Sequence, residues 1–120
     1  MKKTNRDYLL DCLEYLHDVL AFTAGLDEEG FRSNRKTQLA VIRAFEVIGE
    51  IIKRVPHDLL DKKPDIDWRA LKGFRDILIH QYDNIDLTIV WDAVGRVPAV
   101  AHAVDALLSA LPDDESGETS

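Results

Sequence analysis

The residue types that could carry chemistry are concentrated in one short stretch, GFRDILIHQYD, at residues 73–83. It places Arg75, Asp76, His80 and Tyr82 in a segment that is otherwise largely apolar. An arginine stays charged and can hold phosphate oxygens with its planar fork, and a histidine can give or take a proton at physiological pH. An arginine, a histidine and a carboxylate that orients the histidine are the minimum set for breaking a phosphodiester without a metal.

On a helix these residues divide between two faces. At about 100° per residue, Leu71, Phe74 and Leu78 form a core face, and Arg75 lies at its border with Tyr82 on the same line two turns away. Asp76 and His80 are four residues apart, so their side chains could hydrogen-bond and orient the imidazole. Spacing alone leaves a plainer alternative open. A histidine near a helix C-terminus is favourable in itself, and Arg75 could pair with Glu46 or Glu50 on another helix.

Metal chemistry finds little support in the pattern. Di-iron helical bundles use two Glu-x-x-His pairs, and this chain has one, Glu14 with His17, and no second copy. His57 and His102 lack spaced partners, and the chain has no Cys-x-x-Cys and no glycine-rich phosphate loop. The sequence therefore predicts neither a metal nor a cofactor.

Composition predicts one soluble globular domain. The chain has 120 residues, 46% of them hydrophobic, and a net charge of −7, which argues against a general nucleic-acid binder. The lone Cys12 excludes an internal disulfide and favours the cytoplasm. No apolar run approaches the 18–20 or so residues that a membrane span needs. We expect a helical domain over residues 1–111 and a disordered acidic tail over residues 112–120.

Helical periodicity dominates the domain, and no segment reads convincingly as a strand. Capping signals at Thr4, Asp67 and Asp86 begin three of the four long helices. The predicted helices run from Thr4 to about Gly25, over residues 37–55, over residues 68–82 and over residues 87–111, where Pro98 should kink or split the last one. The expected fold is an all-α, up-and-down four-helix bundle.

The second long helix is apolar on more than one side. Only a stripe of Arg43, Glu46, Glu50 and Lys53 is polar, whereas a surface helix of a small bundle needs about 100° of apolar arc. The excess predicts burial on two sides, and a subunit interface in a two-fold homodimer is the natural second side.

These features together resemble a known family. The segment RDILIHQY matches the Arg-x4-His-x-Tyr motif of the HepT-like ribonucleases, a branch of the HEPN superfamily. AVIRAFEVIGEIIKRVP and DIDWRALKGFRDILIHQYDNIDLTIVWDAV resemble the family's second, third and fourth helices. The resemblance covers about residues 5–97 and becomes weaker after Gly95.

The resemblance implies a specific function. It implies a dimeric, metal-independent toxin that cleaves RNA and is silenced by a partner nucleotidyltransferase antitoxin of the MntA type. Arg75 and His80 match the family's catalytic positions, Asp76 matches the polar residue after the arginine, and Tyr82 matches the tyrosine that the antitoxin modifies with AMP. A two-fold dimer would also bring two arginines and two histidines into one cleft.

A second interpretation belongs to another class. Small acidic helical dimers can serve as non-catalytic modules that bind a nucleotidyltransferase or a nucleotide. The net charge of −7 favours this interpretation, whereas the intact arginine–histidine pair favours the enzyme.

Overall fold

A computed structural model describes residues 2–112, and these form six α-helices and no strand. They are α1 (Asn5–Thr23), α2 (Glu28–Arg32), α3 (Arg35–Lys53), α4 (His57–Leu60), α5 (Trp68–His80) and α6 (Leu87–Ala110). The four long helices confirm the all-α prediction, and the two short ones lie in the connections between them. Of the predicted tail, residues 113–120 lie outside the described residues.

The predicted helix starts are confirmed by their caps. Thr4 and Asp7 form a reciprocal capping box at the start of α1. The carboxylates of Asp67 and Asp86 accept hydrogen bonds from backbone N–H groups in the first turns of α5 and α6. Beyond α1, Gly25 has a φ of 78°, the left-handed conformation that favours glycine after a helix.

The end of α5 differs from the prediction. The helix stops at His80, with Gln81 as its C-cap, so Tyr82 lies in the following turn. Tyr82 is therefore not part of the helix. The prediction that Tyr82 aligns with Arg75 along one line of the helix is wrong. The start of α5 is firmly anchored, because the buried Trp68 donates its indole N–H to the carbonyls of Leu60 and Lys63.

Helix α3 is the centre of the bundle. It packs against α1 on one side and α5 on another, and α6 completes the core against α1. Its residues Val41, Ile42, Phe45, Ile48, Ile51 and Ile52 are buried. Most of the apolar surface of α3 is thus buried within the chain, although Leu39 is 51% exposed, so the apolar excess does not by itself indicate a second subunit. The two-fold homodimer stays a prediction.

Helix α6 continues through Pro98 as one helix and is not split. By length and composition alone it is the one helix among the described residues that could cross a membrane, which differs from the expectation that no segment is apolar enough for a span. Its buried side chains, among them Val90, Val97 and Leu107, belong to the same core as those of α1 and α3. Helix α6 thus has the role of a core helix in a compact globular fold.

Candidate active site

Two of the predicted site residues, Arg75 and Asp76, lie beside the seam between α3 and α5. At Gly49 the two helices come so close that an added Cβ would lie 2.4 Å from Arg75 Cβ and 3.0 Å from the Leu71 carbonyl oxygen. Real Cβ atoms do not tolerate such contacts, so this approach requires glycine at position 49. It brings the side chain of Arg75 next to the last turns of α3.

Arg75 is held by two carboxylates. Its Nε lies 3.2 Å from Oε1 of Glu50 on α3, and its Nη1 donates a 2.9 Å hydrogen bond to Oδ1 of Asp76. The other oxygen of Glu50 accepts a 2.8 Å hydrogen bond from Arg54. The pairing of Arg75 with Glu50, one of two partners that the sequence suggested, is therefore present. With 27% of its side chain exposed, Arg75 is oriented and still reachable from solvent.

The Asp76 carboxylate connects α5 back to α3. Its Oδ1 accepts the hydrogen bond from Arg75 and a 3.0 Å hydrogen bond from Nζ of Lys53. The bonds from Arg75 and then Lys53 hold the pKa of Asp76 below its ordinary value. Because the pKa of Asp76 is lower in the folded protein than in the unfolded chain, these bonds stabilise the fold at pH values above the ordinary aspartate pKa. The stabilisation is lost as the pH falls through the lowered pKa of the folded state. Asp76 is therefore a carboxylate at neutral pH and is not available as a proton donor.

His80 contacts the main chain of Asp76 and not its carboxylate, which corrects the predicted side-chain contact. The imidazole Nδ1 lies 2.8 Å from the Asp76 carbonyl oxygen. Because a carbonyl oxygen only accepts, this contact requires the hydrogen on Nδ1, and Nε2 of the neutral ring is then the basic nitrogen. His80 is exposed as the last residue of α5, so it can contact a ligand from solvent.

Tyr82 is largely exposed to solvent. It is 78% exposed, two residues beyond His80 in the turn after α5. This position excludes a role in the core and makes the phenol accessible to another protein.

The sequence missed Lys53 as a neighbour of the site. A usable signal was its spacing, since Lys53 follows Glu50 by three residues and so lies on the same side of α3. With Lys53 and Arg54 included, the cluster holds three cations, the third being Arg75, against the carboxylates of Glu50 and Asp76. These five side chains sum to one positive charge in a chain whose net charge is −7, which favours contact with an anionic ligand. Within residues 2–112, no group of three or more His, Cys, Asp and Glu side chains could hold a metal ion.

We expect Gly49→Ala to destabilise the protein and displace Arg75. Overpacking of this kind typically costs about 1–3 kcal/mol, more than the roughly 0.5–1 kcal/mol that alanine gains over glycine inside a helix. Gly95→Ala on α6 is the matched control, because a Cβ there meets nothing within 4 Å. Thermal unfolding should show a lower midpoint for Gly49→Ala and an unchanged or higher one for Gly95→Ala. Equal midpoints for the two variants would show that α3 and α5 do not approach each other as closely at Gly49 as the structure indicates.

Comparison with known proteins assigns the class of this helical bundle. Residues 12–107 match the family model "Ribonuclease HepT-like". A Thermococcus cleftensis protein named "Probable ribonuclease HepT" is 42% identical over 94 residues, 78% of this chain and 86% of the relative. The Methanocaldococcus jannaschii proteins "Putative RNase MJ0127" and "Putative RNase MJ1216" are 36% and 42% identical, over 95% and 89% of both chains. No solved structure matches the chain.

The chain belongs to the HepT-like ribonuclease family. This confirms the resemblance drawn from the Arg-x4-His-x-Tyr motif and its flanking helices. It also confirms the prediction that the protein is an enzyme of the endoribonuclease class.

Proposed function

We propose that this protein is a metal-independent endoribonuclease that acts as the toxin of a toxin–antitoxin pair. In the proposed step, His80 Nε2 accepts the proton of a ribose 2′-hydroxyl, and the 2′-oxygen attacks the adjacent phosphorus. The bond from phosphorus to the 5′-oxygen breaks, and that oxygen takes a proton from a second acid. The products are a 2′,3′-cyclic phosphate and a 5′-hydroxyl.

Each residue has a distinct role in this step. Arg75 stabilises the charge that develops on the phosphoryl oxygens. Asp76 keeps Arg75 in place with its carboxylate and orients His80 with its main-chain carbonyl. The observation that carries the proposal is the exposed end of α5, where the imidazole is oriented through Nδ1 and an arginine is held at the surface one and a half turns away.

The second acid is proposed to be the same histidine of a second copy. A groove of about 670 Å³ separates α5 from α6 and is lined mainly by apolar side chains. Among them, Ile77 and Ile89 are 48% and 52% exposed. Asp92 and Arg96, one turn apart on α6, lie on the same groove, so a two-fold contact would set each arginine against the other copy's aspartate. Ile77 precedes His80 by three residues, so a copy seated there lies beside the imidazole.

We therefore expect light scattering to give a mass of twice 13.6 kDa at micromolar concentration. Stable interfaces usually bury more than about 1,200 Å² in total. A charged side chain placed at the centre of such an interface would be buried without a partner, and this disrupts the contact. Ile77→Asp should yield monomers. Leu39→Asp, at a similarly exposed position on α3 (51%), should remain dimeric. A monomeric parent, or a dimer broken only by Leu39→Asp, would contradict the proposed interface.

Silencing is proposed to act through Tyr82. A partner nucleotidyltransferase of the MntA type would attach AMP to this phenol, which its exposure makes accessible. The pair would operate in the cytoplasm, the compartment that the lone cysteine favours.

One observation favours a non-catalytic interaction module instead, namely the net charge of −7. An assay with RNA in large molar excess over purified protein, in EDTA, separates the two. The enzyme should cleave many RNA molecules per protein molecule. A module should cleave none, and cleavage that needs added metal would contradict the proposed mechanism.

A further inference from the structure

The face of α5 that carries His80 also carries two cations without a described role. Arg69 and Lys72 lie on the same arc as Asp76 and His80, at about 60–140° from Arg75. Within residues 2–112, neither Arg69 nor Lys72 forms an ion pair. By contrast, Lys53, Arg54 and Arg75 around the site are all paired with carboxylates.

We propose that Arg69 and Lys72 are a binding site for the RNA backbone that leads the strand to Arg75 and His80. This inference rests on the proposed ribonuclease function and adds a substrate-binding segment to it. An unpaired cation can neutralise a phosphate without first breaking an internal ion pair, so these two side chains are the ones on this face best prepared for phosphate contacts.

The dimensions suit several successive phosphates. From Arg69 to His80 the helix rises about 16 Å, several times the roughly 3.4 Å rise per phosphate of one stacked strand. Lys72 stands about one turn before Arg75, so a strand whose scissile phosphate lies at Arg75 continues directly onto it. Ala70, Phe74 and Ile77 line the apolar groove from the arc of α5 next to that of His80, so Arg69 and Lys72 lie outside the groove and a strand on them does not fill it.

Nearby carboxylates set a limit to the site. Arg69 and Lys72 line a polar groove of about 510 Å³ together with Asp61, Asp65 and Asp67. Asp67 is engaged as the N-cap of α5, whereas Asp61 and Asp65 would repel a strand that continued into the loop. The binding site therefore ends near Arg69, and a short RNA should fill it.

The experiment compares two double variants that remove the same charge. Arg69→Gln/Lys72→Gln tests the site, and Arg35→Gln/Lys36→Gln is the control. The control residues are exposed at the other end of α3, form no ion pair within residues 2–112 and occupy a helix N-terminus where cations are unfavourable. Binding of a short single-stranded RNA is measured across a salt series in the His80→Ala background, and cleavage is measured with His80 present.

Each phosphate contact to a single strand contributes about 0.7 to the slope of log K against log salt concentration, which amounts to about fivefold in affinity at 0.1 M salt. Arg69→Gln/Lys72→Gln should therefore bind the RNA about 25-fold more weakly, and the slope of its salt dependence should fall by about 1.4. In the cleavage assay its KM should rise while its kcat changes little. The control should match the parent. Equal losses in both double variants, or a loss confined to kcat, would overturn the site while leaving the ribonuclease proposal intact. A parent that neither cleaves nor binds RNA would overturn both.

Discussion

Replacing His80 with alanine is expected to abolish RNA cleavage while leaving the fold intact. The imidazole is exposed, and within residues 2–112 its hydrogen bond is to the Asp76 carbonyl of its own helix, so its removal should cost little stability. As general base and, in the second copy, general acid, it would contribute twice to one reaction, and each role is typically worth about 10²–10⁴ in rate. We expect the turnover number of His80→Ala to fall by at least the factor of one such role, about 10²–10⁴.

The control is a second exposed histidine, on a different helix. His17 on α1 is exposed, and His17→Ala should cleave RNA at the parental rate. Circular dichroism and light scattering would establish that both variants keep the helical fold and the parental mass. Cleavage by His80→Ala at the parental rate would contradict the assigned role of this residue.

Modification of Tyr82 with AMP is expected to eliminate both cleavage and RNA binding. The phenol lies two residues beyond His80, in the turn that follows α5. An AMP group there adds bulk and a negative phosphate two residues beyond the imidazole that would take the substrate's proton. That phosphate would compete for the cations that RNA needs and repel the RNA backbone.

Tyr82→Phe should therefore remain active and resist silencing. Intact-mass spectrometry after co-expression with a MntA-type nucleotidyltransferase should show added AMP on the parent and none on Tyr82→Phe. Tyr15→Phe is a suitable control, because Tyr15 is half-buried on α1 and packs against the core. AMP addition that persists in Tyr82→Phe would assign the modification to another residue.

The sequence predicted those features that depend on local chemistry. Asp67 and Asp86 begin their helices because a short carboxylate can bond the first backbone N–H groups, and this needs no tertiary information. The end of α5 was misplaced by two residues, because Gln81 and Tyr82 neither break a helix nor require one. Helix boundaries are fixed by weak preferences that packing overrides.

The contacts around Arg75 depend on tertiary structure. Nothing local marks Gly49 as the point where α5 meets α3, since an interior glycine is compatible with many roles. Once that approach is set, Glu50 and Lys53 necessarily lie beside Arg75 and Asp76. The same packing explains why the apolar excess of α3 was assigned to a subunit interface. Periodicity shows that a helix is buried on two sides, and it does not show which chain buries it.

The chemical ends of the RNA products test the central claim most directly. A defined RNA is incubated with the purified parent protein in EDTA, and the new ends are analysed by mass spectrometry. The mechanism predicts fragments that end in a 2′,3′-cyclic phosphate and begin with a 5′-hydroxyl, and none from His80→Ala prepared in parallel. Fragments with 5′-phosphate and 3′-hydroxyl ends, or no cleavage until a divalent metal is added, would contradict catalysis by Arg75 and His80.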